Sequence, residues 1–439
     1  MARKVFISVL GFSNYNECIY SKDEYRSNSV RFIQEATLGY LTQQSEWTKN
    51  DSAYILLTEE AENANWIDNG QKNRTTGEYI SCEGLCTRLQ KMNLPFTVQT
   101  ICHLPHGNNE KEIWDIFERT FNELQEGDEL YFDLTHGFRY LPMLVMVLIN
   151  YSKFLKNTIV KSITYGNFEA RNKENEAPII DLLPLSALLD WTYAAGQFLD
   201  SGNINRLIKL SKDKIAPILR ETEGSNEEAK LLQSFIRKLD ASVQDMQTCR
   251  GISLVEATNI GSLIQIIAQL QSTFIKPLNP VFEKIRTRFE GFVNEPNVKN
   301  GFIAAKWCLE NGLYQQAITI LQENIVSMIC IEQGFDYKNK KERGLINRVF
   351  CIHENNMPEQ NWEFPFGLNE EEIEQQKSLI KRLLNEKSIR CLSKSFSICT
   401  GIRNDFNHSG MTGNPSKSSK MKDNITEQVN QVMTLVYGK

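Results

Sequence analysis

The segment ELYFDLTHGFR, residues 129–139, decides the fold of the first part of the chain. Its first six residues are rich in apolar and aromatic side chains and predict a buried β-strand, whereas THGFR, residues 135–139, is a polar loop that contains a glycine. The strongly apolar stretch 141–155 predicts a helix, and residues 159–165 predict the next strand. A strand, a loop and a helix that leads into another strand form a βαβ unit, which implies parallel strands.

The same alternation extends towards the N-terminus. Residues 4–10, 53–57 and 96–101 predict three further strands, and apolar residues at helical spacing between 113 and 124 predict another helix. We therefore expect an α/β domain over residues 1–184, with a mostly parallel sheet and helices on both faces.

Helical periodicity dominates after Pro184, almost without strand signals, and this predicts an all-α second part. A cluster of Pro and Asn at 294–300 indicates a weak boundary. We expect a helical linker or relay region over 185–300 and a terminal helical domain over 301–439.

The composition is that of an ordinary globular protein. The chain has 439 residues, 41% of them hydrophobic and 23% charged, and a net charge of −5. A negative net charge argues against coating nucleic acid by bulk electrostatics, so any such contact must be local. No stretch approaches the ~18 apolar residues of a membrane span. We expect a cytoplasmic protein without a membrane partner, whose ten scattered cysteines are reduced.

One cluster resembles a metal site, although we expect no metal ligands. It consists of two cysteines followed downstream by a third cysteine and two histidines: Cys82, Cys86, Cys102, His103 and His106. Zinc fingers usually have tighter paired spacing. Cys82 and Cys86 also fit one buried helix face, and we prefer that interpretation.

Three polar loops follow predicted strands in the first part of the chain. In an open α/β sheet, ligands bind beyond the carboxyl ends of the strands, so these loops are expected to converge on one edge. Gly137 permits close backbone approach, Thr135 and nearby amides can hold phosphate, and Arg139 can clamp it. The candidate residues are Gly11, Phe12, Ser13, Asn14, Thr58, Glu59, Thr135, His136, Gly137 and Arg139.

This pattern predicts a nucleotide ligand. No GxGxxG or P-loop lysine follows the first strand, which argues against a dinucleotide cofactor or an NTPase. A purely structural role stays open, in which Thr135 and Asp133 cap the next helix and Arg139 forms a salt bridge. For His136 a structural role is as plausible as a role in ligand contact or in acid–base chemistry. Phe12, Tyr15 and Phe168 are candidates for stacking on bases, although such aromatic residues are more often core.

The second candidate site is Arg403 to His408, with Asn404 beside the arginine. Arg348 and His353 have the same spacing, but Val349 to Ile352 resembles core, so we prefer Arg403 and His408, which bracket a polar, helix-starting stretch. Residues five apart on a helix lie about 140° from each other, so a small target needs two copies of the pair across a two-fold axis. Such a cleft suits metal-independent attack by an RNA 2′-hydroxyl on its own phosphate.

Together these motifs resemble the CRISPR-associated ribonucleases of type III systems that join a Rossmann-like CARF domain to a HEPN domain. The resemblance rests on four segments: residues 11–14, 57–61, 133–139 and 403–408. It implies a cytoplasmic homodimer, or an assembly of dimers, whose CARF domains bind a cyclic oligoadenylate. That activator, for which cyclic tetra-adenylate is the preferred form, would switch on cleavage of single-stranded RNA in antiviral defence, without a required cofactor. Slow cleavage of the ring by the CARF domain stays open.

Two other functional classes remain. A ligand-responsive transcription regulator would need a winged helix with a basic recognition helix, and residues 185–300 show none clearly. A non-catalytic HEPN scaffold would fit if Arg403 and His408 were dispensable.

Overall fold

The computed structural model describes residues 2–72, 79–137, 139–269, 278–411, 413 and 415–438. Contacts divide the chain into two compact units, Met1–Ala187 and Leu188–Lys439. The strands of the first unit are β1 (Lys4–Val9), β2 (Cys18–Lys22), β3 (Tyr25–Val30), β4 (Ser52–Leu56), β5 (Asn69–Lys72), β6 (Tyr79–Cys82), β7 (Thr97–Ile101), β8 (Glu129–Asp133), β9 (Ile159–Gly166) and β10 (Glu176–Asp181). Its helices are α1 (Ile33–Gln44), α2 (Glu59–Ala61), α3 (Leu85–Lys91), α4 (Glu110–Asn122) and α5 (Leu141–Leu155).

The sheet of the first unit is mostly parallel, as predicted. Among the described residues it has eight strands in the order β3-β2-β10-β9-β8-β1-β4-β7. The five predicted strands form its parallel centre, in which β1 lies between β4 and β8, β7 follows β4, and β9 follows β8. This arrangement is the Rossmann-like strand order 3-2-1-4-5.

The sequence analysis missed strands β2, β3 and β10. They extend the sheet beyond β9, where β10 is antiparallel to β9 and β3 is antiparallel to β2. β3 has the polar sequence YRSNSV, and most of its residues are half-buried or exposed. An outer strand with one wet face lacks the continuous apolar run that identified the central strands.

Two apolar clusters hold helices against the opposite faces of the sheet. Val5, Ile7 and Val9 pack in one cluster with buried residues of α4 and α5. Phe6 and Leu10 pack in the other cluster with buried residues of α1 and α3. Successive side chains of a strand point to opposite faces, so one apolar strand serves both layers.

The second unit is helical in its described residues. Helix α6 (Leu183–Ser201) leads into it. Its further helices are α7 (Asn205–Leu210), α8 (Ala216–Glu221), α9 (Glu227–Gln247), α10 (Gly251–Val255), α11 (Ile260–Gln269), α12 (Asn279–Thr287), α13 (Lys299–Glu310), α14 (Tyr314–Glu332), α15 (Lys340–Glu354), α16 (Glu370–Leu384), α17 (Lys387–Asn407) and α18 (Ser418–Tyr437).

One apolar cluster runs through this unit from Trp191 to Val432 and includes buried residues on both sides of residue 300. The division into a relay region, 185–300, and a terminal domain, 301–439, stays a prediction. No helix in the described part of the chain combines the length and the apolar character needed to cross a membrane.

Candidate functional site

The carboxyl edge of the sheet presents the first candidate site. β1 pairs with β4 on one side and with β8 on the other, so the strand order reverses at β1. Ligands of such sheets bind in the crevice at this switch point. The loops that follow β1, β4 and β8 all leave from this edge, which places the three predicted segments at neighbouring strand ends.

A buried hydrogen-bond network forms the floor of this edge. Asp133 is buried and accepts a hydrogen bond from Ser8 Oγ at 2.7 Å. Gln34 Nε2 donates to Ser8 Oγ at 3.0 Å and to the Val9 carbonyl at 3.1 Å. Burial raises the pKa of Asp133, against the hydrogen bonds from Thr135 and Ser8 that lower it. These contacts tie the end of β1 to the end of β8.

Thr135 belongs to the same network. Its hydroxyl donates to Asp133 Oδ1 at 2.5 Å and accepts a hydrogen bond from the Gly166 backbone N–H at 2.8 Å. The hydroxyl is therefore engaged within the protein. The alternative that Thr135 and Asp133 cap the next helix is wrong, because α5 begins at Leu141 after Tyr140 as N-cap.

An aromatic pair connects the loop after β1 with the loop after β8. The rings of Tyr15 and His136 lie 4.2 Å apart between centroids, at an angle of 34°. Burial lowers the pKa of His136 to about 4, so the imidazole is neutral at pH 7. A Cβ at position 11 would clash with the Tyr15 hydroxyl, so Gly11 makes room for this ring.

Arg31 and Asn65 support the first loop from beneath, and the sequence analysis missed both. Asn65 Nδ2 donates to the carbonyls of Gly11 at 2.8 Å and Ser13 at 2.9 Å. Arg31 Nη2 donates to Asn65 Oδ1 at 3.0 Å, and the arginine is buried. Neither residue belongs to a recognisable motif, so the sequence did not indicate that they support this loop.

Several candidate residues remain open to solvent above this floor. The Phe12 side chain is 56% exposed. Ser13, Asn14, Glu59 and Arg139 are also exposed. Arg139 forms no salt bridge or hydrogen bond with the described residues, so the structural alternative for it is wrong. Phe138 lies outside the described residues.

The remaining candidates at this edge, Thr58, Gly137 and Phe168, have structural roles within the protein. Thr58 is buried and caps α2 by accepting a hydrogen bond from the Ala61 N–H at 3.2 Å. Gly137 has φ +129°, and a Cβ there would lie 2.6 Å from a Leu141 methyl, so only glycine fits. The Arg171 guanidinium carbon lies over the Phe168 ring, 4.1 Å from the ring centroid, so this face of the ring is occupied.

The cysteine and histidine cluster has a different structure from the one predicted. Cys82 ends strand β6 and Cys86 lies in α3, so the prediction that they share one helix face is wrong. His106 pairs with Glu60 at 3.0 Å. Within the described ranges, no group of three or more His, Cys, Asp or Glu side chains is arranged to hold a metal ion.

The second candidate site lies at the C-terminal end of α17. Arg403 lies four residues before Asn407, the last residue of α17, and His408 is the C-cap residue. The prediction that this stretch starts a helix is therefore wrong. Ser409 and Gly410 have positive φ angles of 55° and 68°, a conformation that ends helices. Asn404 and His408 are exposed, and Arg403 is half-buried.

Arg403 is held by a carboxylate that it shares with a second arginine. Its Nη1 lies 3.0 Å from Oε1 of Glu323 in α14. Oε2 of Glu323 lies 2.6 Å from Nη2 of Arg343, which also donates to the Glu323 carbonyl at 3.0 Å. Sequence reasoning did not identify Glu323, because 80 residues separate it from Arg403 and it belongs to no recognisable motif.

The alternative pair, Arg348 and His353, lies within α15. Between them Val349, Phe350 and Ile352 are buried, as expected for core, whereas Cys351 is exposed. Nδ1 of His353 is buried without a hydrogen-bond partner among the described residues. Burial lowers the pKa of Arg348. Both arginines, Arg348 and Arg403, are half-buried, but His353 is half-buried whereas His408 is exposed.

Comparisons with known proteins agree with this architecture. Residues 5–169 match the family model described as CRISPR system endoribonuclease Csx1, CARF domain. The chain is also 24% identical over 379 residues to the CRISPR-associated protein MJ1674 of Methanocaldococcus jannaschii. That alignment covers 77% of this chain but 56% of the relative, so the chain spans little more than half of that protein's length.

The family match covers the whole parallel centre of the sheet together with the three loops at its carboxyl edge. The alignment with the archaeal relative is longer and must extend into the helical unit, since it covers more residues than the first unit contains. The chain is therefore a CRISPR-associated protein that contains a CARF domain.

Proposed function

We propose that this protein is a single-stranded RNA endoribonuclease that a cyclic oligoadenylate activates. The observation that carries the proposal is the end of α17, where Arg403 is fixed by Glu323 while Asn404 and His408 are exposed beside it. A fixed cation and an exposed imidazole near the end of the same helix are the kinds of group that phosphoryl transfer from an RNA 2′-hydroxyl requires.

In the proposed reaction the RNA 2′-oxygen forms a bond to the adjacent phosphorus while the bond to the 5′-oxygen of the next nucleotide breaks. The products are a 2′,3′-cyclic phosphate and a 5′-hydroxyl. Arg403 stabilises the additional negative charge on the phosphate oxygens. His408 takes the proton of the 2′-hydroxyl or gives one to the leaving oxygen, the role of an imidazole in general acid–base catalysis. Asn404 orients the phosphate by hydrogen bonding.

The activator site of the proposal is the carboxyl edge of the CARF sheet. CARF domains bind cyclic oligoadenylates, and here Arg139 is exposed and unpaired within the described chain, ready to meet a phosphate. Gly137 permits close approach of the backbone, and the Tyr15–His136 pair borders the site with aromatic surface. Cyclic tetra-adenylate is the preferred ring in this proposal.

A homodimer, or an assembly of dimers, is part of the same proposal. Three large apolar side chains of α5 share one face of the helix and are exposed: Met143 at 72%, Val147 at 49% and Phe154 at 77%. An apolar stripe of this kind commonly marks a protein interface. A second copy would also bring two Arg403 and two His408 side chains into one cleft.

Cleavage itself is tested with a fluorescent single-stranded RNA and the DNA of the same sequence, in EDTA. The proposal predicts RNA products that end in a cyclic phosphate and no cut in DNA, which lacks the nucleophile. Cleavage of both strands, or cleavage that EDTA abolishes, would overturn this mechanism.

A further inference from the structure

A cavity of about 220 Å³ lies within the helical unit, and Glu323, the partner of Arg403, is one of its lining residues. This volume is below the roughly 300–1,000 Å³ of pockets for drug-sized ligands, so the cavity suits one ring system. Most of its lining surface is apolar, and polar side chains of α14, among them Glu323 and Asn324, also line it. Two cations in the lining, Lys338 and Arg343, are each paired with a carboxylate, of Glu256 and Glu323 respectively. The lining residues that matter here are Ile252, Gly301, Thr319, Ile320, Glu323 and Asn324.

The polar groups of the cavity are held in place. Asn324 is buried, and its Nδ2 donates to the Val298 carbonyl at 2.9 Å, which fixes the amide. A Cβ at position 301 would clash with the amide oxygen of Asn324, so Gly301 makes room for it. Glu323 is fixed by its two arginines. The amide oxygen and the carboxylate are both hydrogen-bond acceptors.

The location of the cavity relates it to the proposed cleavage site. Arg403 and the cavity share Glu323, whose Oε1 lies 3.0 Å from Nη1 of Arg403. In RNA, one sugar separates a phosphate from its base. A phosphate held by Arg403 therefore places a flanking base within reach of the cavity.

We propose that this cavity binds one of the two nucleobases that flank the scissile phosphate, and that it selects bases with an exocyclic amino group. The apolar side chains of Ile252 and Ile320 can pack against an aromatic ring, and the acceptors of Glu323 and Asn324 suit an amine. Uracil has no such amine and is disfavoured. The inference rests on the proposed ribonuclease function.

The test uses DNA strands that contain a single ribonucleotide, so that only one phosphate can be cut. The base on each side of that phosphate is varied in turn. Cleavage rates are compared between substrates with adenine and hypoxanthine, and between substrates with cytosine and uracil, because the bases of each pair differ at the exocyclic amine. Native protein with the activator is expected to cut the amine-bearing substrate at least about fivefold faster at one of the two positions.

Ile252→Trp is designed to fill the cavity and leaves Arg403, Asn404 and His408 unchanged. Its matched control is Ile331→Trp, because Ile252 and Ile331 are 51% and 45% exposed and Ile331 does not line the cavity. Circular dichroism checks that both variants fold. We expect Ile252→Trp to reduce the preference to less than twofold and to raise KM, and Ile331→Trp to behave as the native protein. No preference in the native protein, or equal loss in both variants, would overturn the inference.

A failure of the ribonuclease proposal gives a different result from a failure of the cavity. If native protein cuts no RNA, the cavity is still tested by binding of uncleavable all-deoxy strands with adenine or hypoxanthine. The cavity's role in base binding is supported if adenine strands bind more tightly than hypoxanthine strands and if Ile252→Trp, but not Ile331→Trp, abolishes this difference. Equal binding of both strands, or no binding, contradicts it.

Discussion

Nη1 of Arg403 lies 3.0 Å from Oε1 of Glu323, across two helices that are 80 residues apart in sequence. The contact fixes the direction of the Arg403 guanidinium. Without it, the side chain would sample several rotamers and the guanidinium would point in several directions. Pre-orientation of a cation towards developing charge is a main source of catalytic rate in phosphate chemistry. Glu323 is thus a positioning residue in the proposed site, and Arg403 is the group that meets the phosphate.

Replacement of Glu323 by Gln tests this positioning. We expect kcat for RNA cleavage to fall roughly tenfold, because Arg403 loses its charged partner, with a smaller change in KM. The Glu323 side chain is 43% exposed, so the free energy of unfolding should change by no more than about 1 kcal/mol. Urea denaturation measures it. Glu227→Gln, which removes an exposed pair with Lys230, is the control and should keep kcat.

Arg139 is expected to carry much of the affinity for the activator. Arg139→Ala should weaken binding of cyclic tetra-adenylate roughly ten- to hundredfold, since hydrogen bonds to charged groups contribute about 1.5–3 kcal/mol. Isothermal titration calorimetry measures this affinity. Arg26→Ala, on the outermost strand β3, is the control and should bind as the native protein. Equal affinity of the Arg139 variant and the native protein would remove Arg139 from the site.

His136 makes the first unit less stable in acid. Its pKa in the folded state is about 4, below the ordinary value of about 6.5, because burial disfavours the imidazolium. The unfolded state therefore binds a proton first as the pH falls through 6.5, and stability decreases between pH 6.5 and 4. His136→Phe should reduce this loss by roughly 1–3 kcal/mol. Urea denaturation at pH 7.5 and pH 5 measures it, with His408→Ala, an exposed position, as the control.

Asn65 is expected to stabilise the CARF domain through its buried amide. Asn65→Ala removes three hydrogen bonds and leaves Arg31 buried without this partner, which should cost about 2–4 kcal/mol of unfolding free energy. The loop of Gly11 and Ser13 loses its support, so activator affinity should fall as well. Asn63→Ala is the control, since Asn63 is exposed on the same helical turn. A loss of stability in both variants alike would contradict this role.

The centre of the fold was predictable from sequence because its strands are buried on both faces. β1, β4, β7, β8 and β9 begin and end within one or two residues of the predicted bounds, and α5 matches its prediction. The outer strands β2, β3 and β10 were not predictable, since half-exposed edge strands carry polar residues and are defined by pairing over long sequence distances.

The positions of the candidate-site loops were predictable from sequence, whereas the side-chain contacts that hold the candidate residues in place were not. The carboxyl-edge rule places Gly11, Thr58 and Gly137 at neighbouring strand ends, where the structure has them. Thr135 turns inward and accepts a hydrogen bond from the Gly166 N–H, and Arg403 pairs with Glu323, and both of these partners are remote in sequence. Such pairs depend on tertiary contacts and leave no local pattern.

The most direct test of the central proposal is cleavage of a fluorescent single-stranded RNA in EDTA, with and without cyclic tetra-adenylate, by native protein and by His408→Ala. We expect the ring to stimulate cleavage by native protein at least about tenfold, and His408→Ala to show no stimulated cleavage while it binds the ring with native affinity. Equal stimulated cleavage by His408→Ala, or no stimulation by this or any other cyclic oligoadenylate, would contradict the proposal.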